Sequence, residues 1–164
     1  MRHRLCLGVC IALIGCSSAP EKLDPTPLER IMEVIELDDV ESIRLGGGDQ
    51  TGLSPTFSDG VIAAASAGGE VYLLNQQLDE LWNVDLDQTI VGGVGANATA
   101  VYVVTTDAKL AALSRENGST LFEVVLPSSS TVPPLATETL VFVKTQIGRL
   151  LAIDVATGEI VWLE

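Results

Sequence analysis

Three aromatic residues, Trp82, Phe122 and Trp162, stand forty residues apart, and the sequence upstream of each repeats in register. Ile62 to Leu74 reads IAAASAGGEVYLL, Val101 to Leu113 reads VYVVTTDAKLAAL, and Val141 to Ile153 reads VFVKTQIGRLLAI. Gly69, Ala108 and Gly148 coincide between the two apolar runs, and Pro55, Val94 and Pro134 each lie seven residues before the first run. Only the first unit is one residue short, between Leu74 and Trp82. A fixed period of this length restricts a chain to stacked repeat units. The runs are short and rich in Val and Thr, which suits strands rather than the helix pairs of a solenoid. Four strands in forty residues make one antiparallel sheet that cannot bury both faces alone. Radial stacking of such sheets gives an all-β propeller, whose blades are usually ~40–45 residues long.

The periodicity predicts twelve strands in three four-stranded sheets over 45–164, with little or no helix. Val101 to Thr105 and Leu140 to Lys144 are strand candidates. Asn117-Gly118 and Thr157-Gly158 read as tight turns that need a residue with positive φ. The third unit carries the fullest pattern, Ala152-Ile153-Asp154-Val155-Ala156-Thr157-Gly158-Glu159-Ile160-Val161-Trp162. Ser114 and Asn75 hold the place of Asp154 in the other units. Trp82, Phe122, Trp162, Asp154 and Gly158 are structural repeat positions. The three rings are expected at equivalent buried sites, and Asp154 is expected to brace its own turn.

The N-terminus reads as an address. Met1-Arg2-His3-Arg4 is basic, and Leu5 to Gly15 is an apolar run of eleven residues, shorter than the ~20 needed to span a bilayer. It ends Leu13-Ile14-Gly15-Cys16, which resembles the bacterial lipobox. The expected organisation is a lipoprotein signal peptide over 1–15, a lipidated tether and lead-in over 16–44, and the propeller repeats over 45–164. Cys16 is the lipid attachment site, N-palmitoyl and S-diacylglycerol, because its thiol is the nucleophile that takes the lipid. Cys6 and Cys10 lie in the cleaved part, so the mature chain keeps one thiol and forms no internal disulfide. Two or more acyl chains anchor a protein stably. Among the lipoproteins this resembles, Ser17 rather than Asp after the Cys implies export to the outer membrane.

Charge and residue types narrow the chemistry. The chain has 9 Lys plus Arg against 22 Asp plus Glu, a net charge of -13. Without Arg2 and Arg4 the balance is 7 against 22, or -15. That excludes nucleic acid as a partner, since phosphate binding needs clustered basic residues. His3 is the lone histidine, so no serine, Ser128-Ser129-Ser130 included, has a histidine base beyond the signal. Gly46-Gly47-Gly48-Asp49 lacks the Lys-Ser/Thr of a phosphate loop. Asp38-Asp39-Glu41 lacks the alternating ligand spacing of a Ca²⁺ loop and reads as a solvated face. Asn97-Ala98-Thr99 matches a glycosylation pattern that a bacterial lipoprotein has no reason to use. No catalytic residue, metal site or cofactor is expected. Leu28, Ile31, Met32 and Ile35 have helical spacing, which suggests a short helix at 28–36, while the family resemblance given below implies a strand there with equal weight.

The unit ending at Trp162 resembles the quinoprotein-type propeller repeat. Within that class the chain resembles the BamB family, lipoprotein subunits of the outer-membrane β-barrel assembly machine. The features carrying the resemblance are the lipobox, Gly46-Gly47-Gly48-Asp49, Leu53-Ser54-Pro55, Gly92-Gly93-Val94 and Val132-Pro133-Pro134, in that order. The resemblance implies an eight-bladed propeller that scaffolds substrate delivery without catalysis. Its implied partners are the barrel-forming subunit BamA and unfolded outer-membrane proteins. Three units of an expected eight make this an N-terminal piece of a propeller. The family's leucine- and arginine-containing gripping loop would follow Glu164, so the chain as given is expected to bind the barrel-forming subunit weakly or not at all. A quinone-dependent periplasmic dehydrogenase, or another anchored propeller interaction module, is the alternative within the same repeat class.

Overall fold

The computed structural model describes residues 41–46 and 53–164. Cys16, residues 28–36, Asp38-Asp39 and Gly47-Gly48-Asp49 lie outside the described residues. Twelve strands follow in chain order: β1 Thr56–Ser58, β2 Val61–Ala65, β3 Glu70–Asn75, β4 Glu80–Asp85, β5 Ile90–Ala96, β6 Ala100–Thr105, β7 Lys109–Ser114, β8 Thr120–Val125, β9 Leu135–Ala136, β10 Leu140–Lys144, β11 Leu150–Asp154 and β12 Ile160–Leu163. They form three four-stranded sheets, β1-β2-β3-β4, β5-β6-β7-β8 and β9-β10-β11-β12, each a meander of antiparallel neighbours. The described residues hold no helix. The sheets are the three blades that the forty-residue period predicts.

The repeat extends to single hydrogen bonds. Each blade shifts register at one place between its third and fourth strands, at Leu73/Leu74, Ala112/Leu113 and Ala152/Ile153. Such a bulge bends the outer strand and sharpens its twist. In the turns just beyond, Gly118 and Gly158 take φ of +73° and +74°, the left-handed conformation expected of them. The shorter first unit puts Leu78 at φ +63° instead.

Alternation along the strands sorts side chains into two core layers. Ala63, Val71, Leu73 and Trp82 of blade 1 pack against Val94, Val101, Val103, Ala111 and Leu113 of blade 2. The opposite face of blade 2, with Tyr102, Val104, Leu110 and Ala112, packs against Val141, Val143, Leu151 and Ile153 of blade 3. This two-sided burial is why β6 and β7 read as unbroken apolar runs. At the inner edge, β5 lies between the leads into β1 and β9. Thr56 donates its hydroxyl to the Val94 carbonyl at 2.6 Å, and the Val94 N–H donates to the Ser54 carbonyl at 3.3 Å. The Gly92-Gly93-Val94 stretch is what permits this convergence. A Cβ at Gly93 would stand 3.0 Å from Ser54 backbone atoms, and one at Gly92 2.8 Å from the Val132 carbonyl oxygen.

Candidate functional site

The repeat positions meet at the junctions between blades. Trp82, Phe122 and Trp162 lie opposite Leu73, Ala112 and Ala152, at one register position of the fourth strand. The rings of Trp82 and Phe122 reach toward the turn of the following blade. A Cβ on Gly118 would come within 2.9 Å of the Trp82 ring, and one on Gly158 within 2.8 Å of the Phe122 ring. The glycine therefore serves two needs at once, a left-handed backbone and a flat seat for an aromatic face. Trp82 also donates its Nε1–H to the Arg115 carbonyl at 2.9 Å. Phe122 has no donor to match.

Burial of the three rings differs, contrary to the expectation of equivalence. Trp82 is 9% exposed and Trp162 is 39% exposed. Phe122 is half-buried, with its ring 6.5 Å from that of Tyr102. The physical reason is the stacking: Trp82 and Phe122 face a following blade, while Trp162 and Phe142, 6.2 Å apart, face outward from blade 3. Leu135, Leu150, Val161 and Leu163 are exposed in the same blade.

Asp154 braces its turn. Its Oδ1 accepts the N–H groups of Ala156 and Thr157, each at 2.9 Å, and the Thr157 hydroxyl at 3.2 Å. Asn75 does the same in blade 1, accepting from the N–H groups of Gln77 and Asp79. Ser114 does so more weakly in blade 2. The Thr157 and Ala156 N–H groups hold the Asp154 carboxyl below the ordinary Asp range, with the Thr157 hydroxyl adding to them. A depressed carboxyl stabilises the fold at pH above its unfolded value, and that contribution fades as pH falls through the folded value. A carboxyl-detected NMR titration is expected to place the Asp154 midpoint below that of Asp in an unstructured peptide. A midpoint at or above that reference would refute the brace.

Arg115, in the turn between β7 and β8, clamps the first junction. Its guanidinium donates to the carbonyls of Asp59 at 2.8 Å, Asn97 at 2.9 Å and Ser58 at 3.2 Å, and pairs with the Asp59 carboxylate at 3.3 Å. The side chain is 16% exposed, so these bonds are sheltered. Asn97 ties the second junction. Its Nδ2 donates to the Thr137 carbonyl at 2.8 Å, and its Oδ1 accepts from the N–H groups of Thr99 and Ala100. This side chain is buried, so the glycosylation pattern at Asn97 is a structural coincidence. Burial raises the neighbouring Tyr102 hydroxyl above its ordinary pKa, with the Asn97 amide opposing.

Between blades 2 and 3 lies an open groove of about 540 Å³, lined by Leu121, Phe122, Glu138, Asp154 and Val155 among others. Among the described residues, no group of three or more His, Cys, Asp or Glu is placed to hold a metal ion. No described helix is long and apolar enough to cross a membrane.

Stacked four-stranded blades, locked by an aromatic ring on the next blade's Thr-Gly or Asn-Gly turn, define a propeller repeat protein of the quinoprotein type. The profile of the family described as outer membrane protein assembly factor BamB matches residues 67–164. The chain belongs to this family. A relative from Pseudomonas aeruginosa, outer membrane protein assembly factor BamB, is 34% identical over 63% of this chain and 29% of its own length. The crystal structure of BamB from Moraxella catarrhalis superposes with a TM-score of 0.63 at 29% identity, over 68% of this chain and 35% of that one. A europium-containing methanol dehydrogenase shares the fold alone, with a TM-score of 0.56 at 21% identity over 66% of this chain and 23% of that one. The chain spans between 29% and 42% of the length of the first three curated relatives it matches.

Proposed function

We propose that the chain is a non-catalytic, lipid-anchored scaffold of the outer-membrane β-barrel assembly machine, facing the periplasm. The observation that carries this reading is the family match over residues 67–164. Its relatives are named outer membrane protein assembly factors. The lipobox around Cys16 supports the anchor, and the domain division at 15 and 44 goes with it. The partners in this reading are the barrel-forming subunit BamA and unfolded outer-membrane proteins. They are engaged through exposed blade surface rather than through a catalytic centre.

The quinone-dependent alternative rests on fold likeness at 21% identity or less. A quinone enzyme needs a catalytic Asp and cation ligands. Asp154, the carboxylate in the best-formed turn, already spends one oxygen on its own backbone.

The test is made in a Gram-negative host. The full chain is expected in the outer-membrane fraction, where a short crosslinker captures the barrel-forming subunit even if contact is weak. Cys16→Ala is expected to release the chain to the soluble periplasm. A Cys16→Ala variant that stays in the membrane as fully as the parent overturns the anchor. Failure to crosslink any assembly subunit, or quinone-dependent dye reduction by the purified chain, overturns the scaffold role.

A further inference from the structure

The two blade junctions carry the same groove in two states. At the first, the groove is bordered by Ala98, Thr99, Ser114, Arg115 and Glu116. Forty residues on, the corresponding residues are Glu138, Thr139, Asp154, Val155 and Ala156, and all five line the groove between blades 2 and 3. In the first junction the guanidinium of Arg115 lies across to blade 1, in a cradle made by the carbonyls of Ser58, Asp59 and Asn97 and the Asp59 carboxylate. In the second junction position 155 is Val, whose side chain carries no donor and is too short to span. By the repeat alignment, the carbonyls of Asn97, Ala98 and Thr137 take the corresponding places; that of Asn97 already accepts from Arg115 and that of Thr137 from the Asn97 amide, which leaves the Ala98 carbonyl.

Three features of the open groove fit the part that is missing. Its walls offer Leu121, Phe122 and Val155 as apolar surface for an alkyl stem. Glu138 has replaced Ala98 at its rim, and Asp154 uses only Oδ1 in bracing its turn. Neither carboxylate forms an ion pair among the described residues, whose two salt bridges are Lys109–Glu123 and Arg115–Asp59. A planar guanidinium is the group that joins backbone carbonyls and a carboxylate in one plane while stacking on an aromatic face.

We propose that the groove between blades 2 and 3 is a binding site for an arginine side chain, presented by an extended segment of a partner polypeptide. The partner's arginine takes the place that Arg115 fills one junction earlier. Its stem lies along Leu121 and Phe122, and its guanidinium faces Glu138. The groove is a property of the blades and does not depend on the assembly role. Loss of membrane anchoring or of crosslinking to the assembly machine would leave it standing.

The test titrates the purified full chain with acetyl-leucyl-arginyl-leucinamide, read by ¹H–¹⁵N NMR. Amide signals of Thr139, Val155 and Ala156 are expected to shift saturably. The same peptide with citrulline, which is neutral and of the same shape, is expected to bind about tenfold more weakly or worse. Glu138→Gln is expected to weaken the arginine peptide several-fold without moving the citrulline one. Val155→Arg is the sharpest variant, since it should fill the groove as Arg115 does. It is expected to abolish peptide binding while the dispersed blade 2 and blade 3 signals persist. No saturable shift, equal affinity for the citrulline peptide, or undiminished binding to folded Val155→Arg would each overturn the proposal.

Discussion

Trp82→Ala is expected to destabilise the chain by about 3–5 kcal/mol, the usual cost of deleting a large buried aromatic side chain. Three losses combine. The indole is 9% exposed and lies in the core layer between blades 1 and 2. Its face seats on Gly118, beside the Val84 side chain. Its Nε1–H bonds the Arg115 carbonyl, the same residue whose guanidinium holds blade 1. Removing the ring thus loosens the turn that carries the clamp. Trp162→Ala removes the same side chain from the same register position, yet should cost well under half as much, because that ring is 39% exposed and faces outward. Urea unfolding of the two variants, with midpoints and slopes compared, separates them. Equal losses would mean that the ring contributes within its own blade and that the seat on the following turn is energetically idle.

That comparison also marks what a reader of the sequence alone can see. The period, the strands, the turn glycines and the cap by Asp154 are local. They follow from alternation, β-branched residues and positive-φ turns, each within a few residues of its cause. Blade 2 illustrates the point, since Ala100–Thr105 and Lys109–Ser114 announce two-sided burial by having no polar face. The exposure of Trp162 is not local, because an identical residue at an identical register is buried or open according to what stacks beyond it. Arg115 is another case. In sequence it is a surface arginine beside a turn. Its value comes from carbonyls 56 to 57 residues away, at Asp59 and Ser58. The groove lined by Val155 becomes visible only when two junctions are laid over each other in space. Cys16 rests on its motif alone and lies outside the described residues.

The family resemblance drew attention to Gly92-Gly93-Val94, but the glycine most crowded by backbone atoms is the next one along. Gly95 has an ordinary backbone conformation, so its sequence context gives no sign that another residue is barred. A Cβ there would collide with the Pro134 carbonyl oxygen and stand 3.0 Å from its carbonyl carbon. Both are backbone atoms of the lead into blade 3, and no rotamer change can move them. Gly95→Ala is therefore expected to cost about 3 kcal/mol, the upper end for overpacking, because relief requires the inner edges of blades 2 and 3 to part. Gly148→Ala is the control. Its φ is +83°, but no atom lies within 4 Å of the added Cβ, so it bears only the left-handed backbone cost of about 1–2 kcal/mol. The two variants should also differ in where the fold loosens. Hydrogen exchange in Gly95→Ala is expected to speed up in β5, β6 and β10 together, as the shared layer of Tyr102, Val104, Val141 and Val143 opens. In Gly148→Ala any change should stay in the turn between β10 and β11. If Gly95→Ala proves as mild as Gly148→Ala, the close approach of β5 to Pro134 does not hold the second junction together.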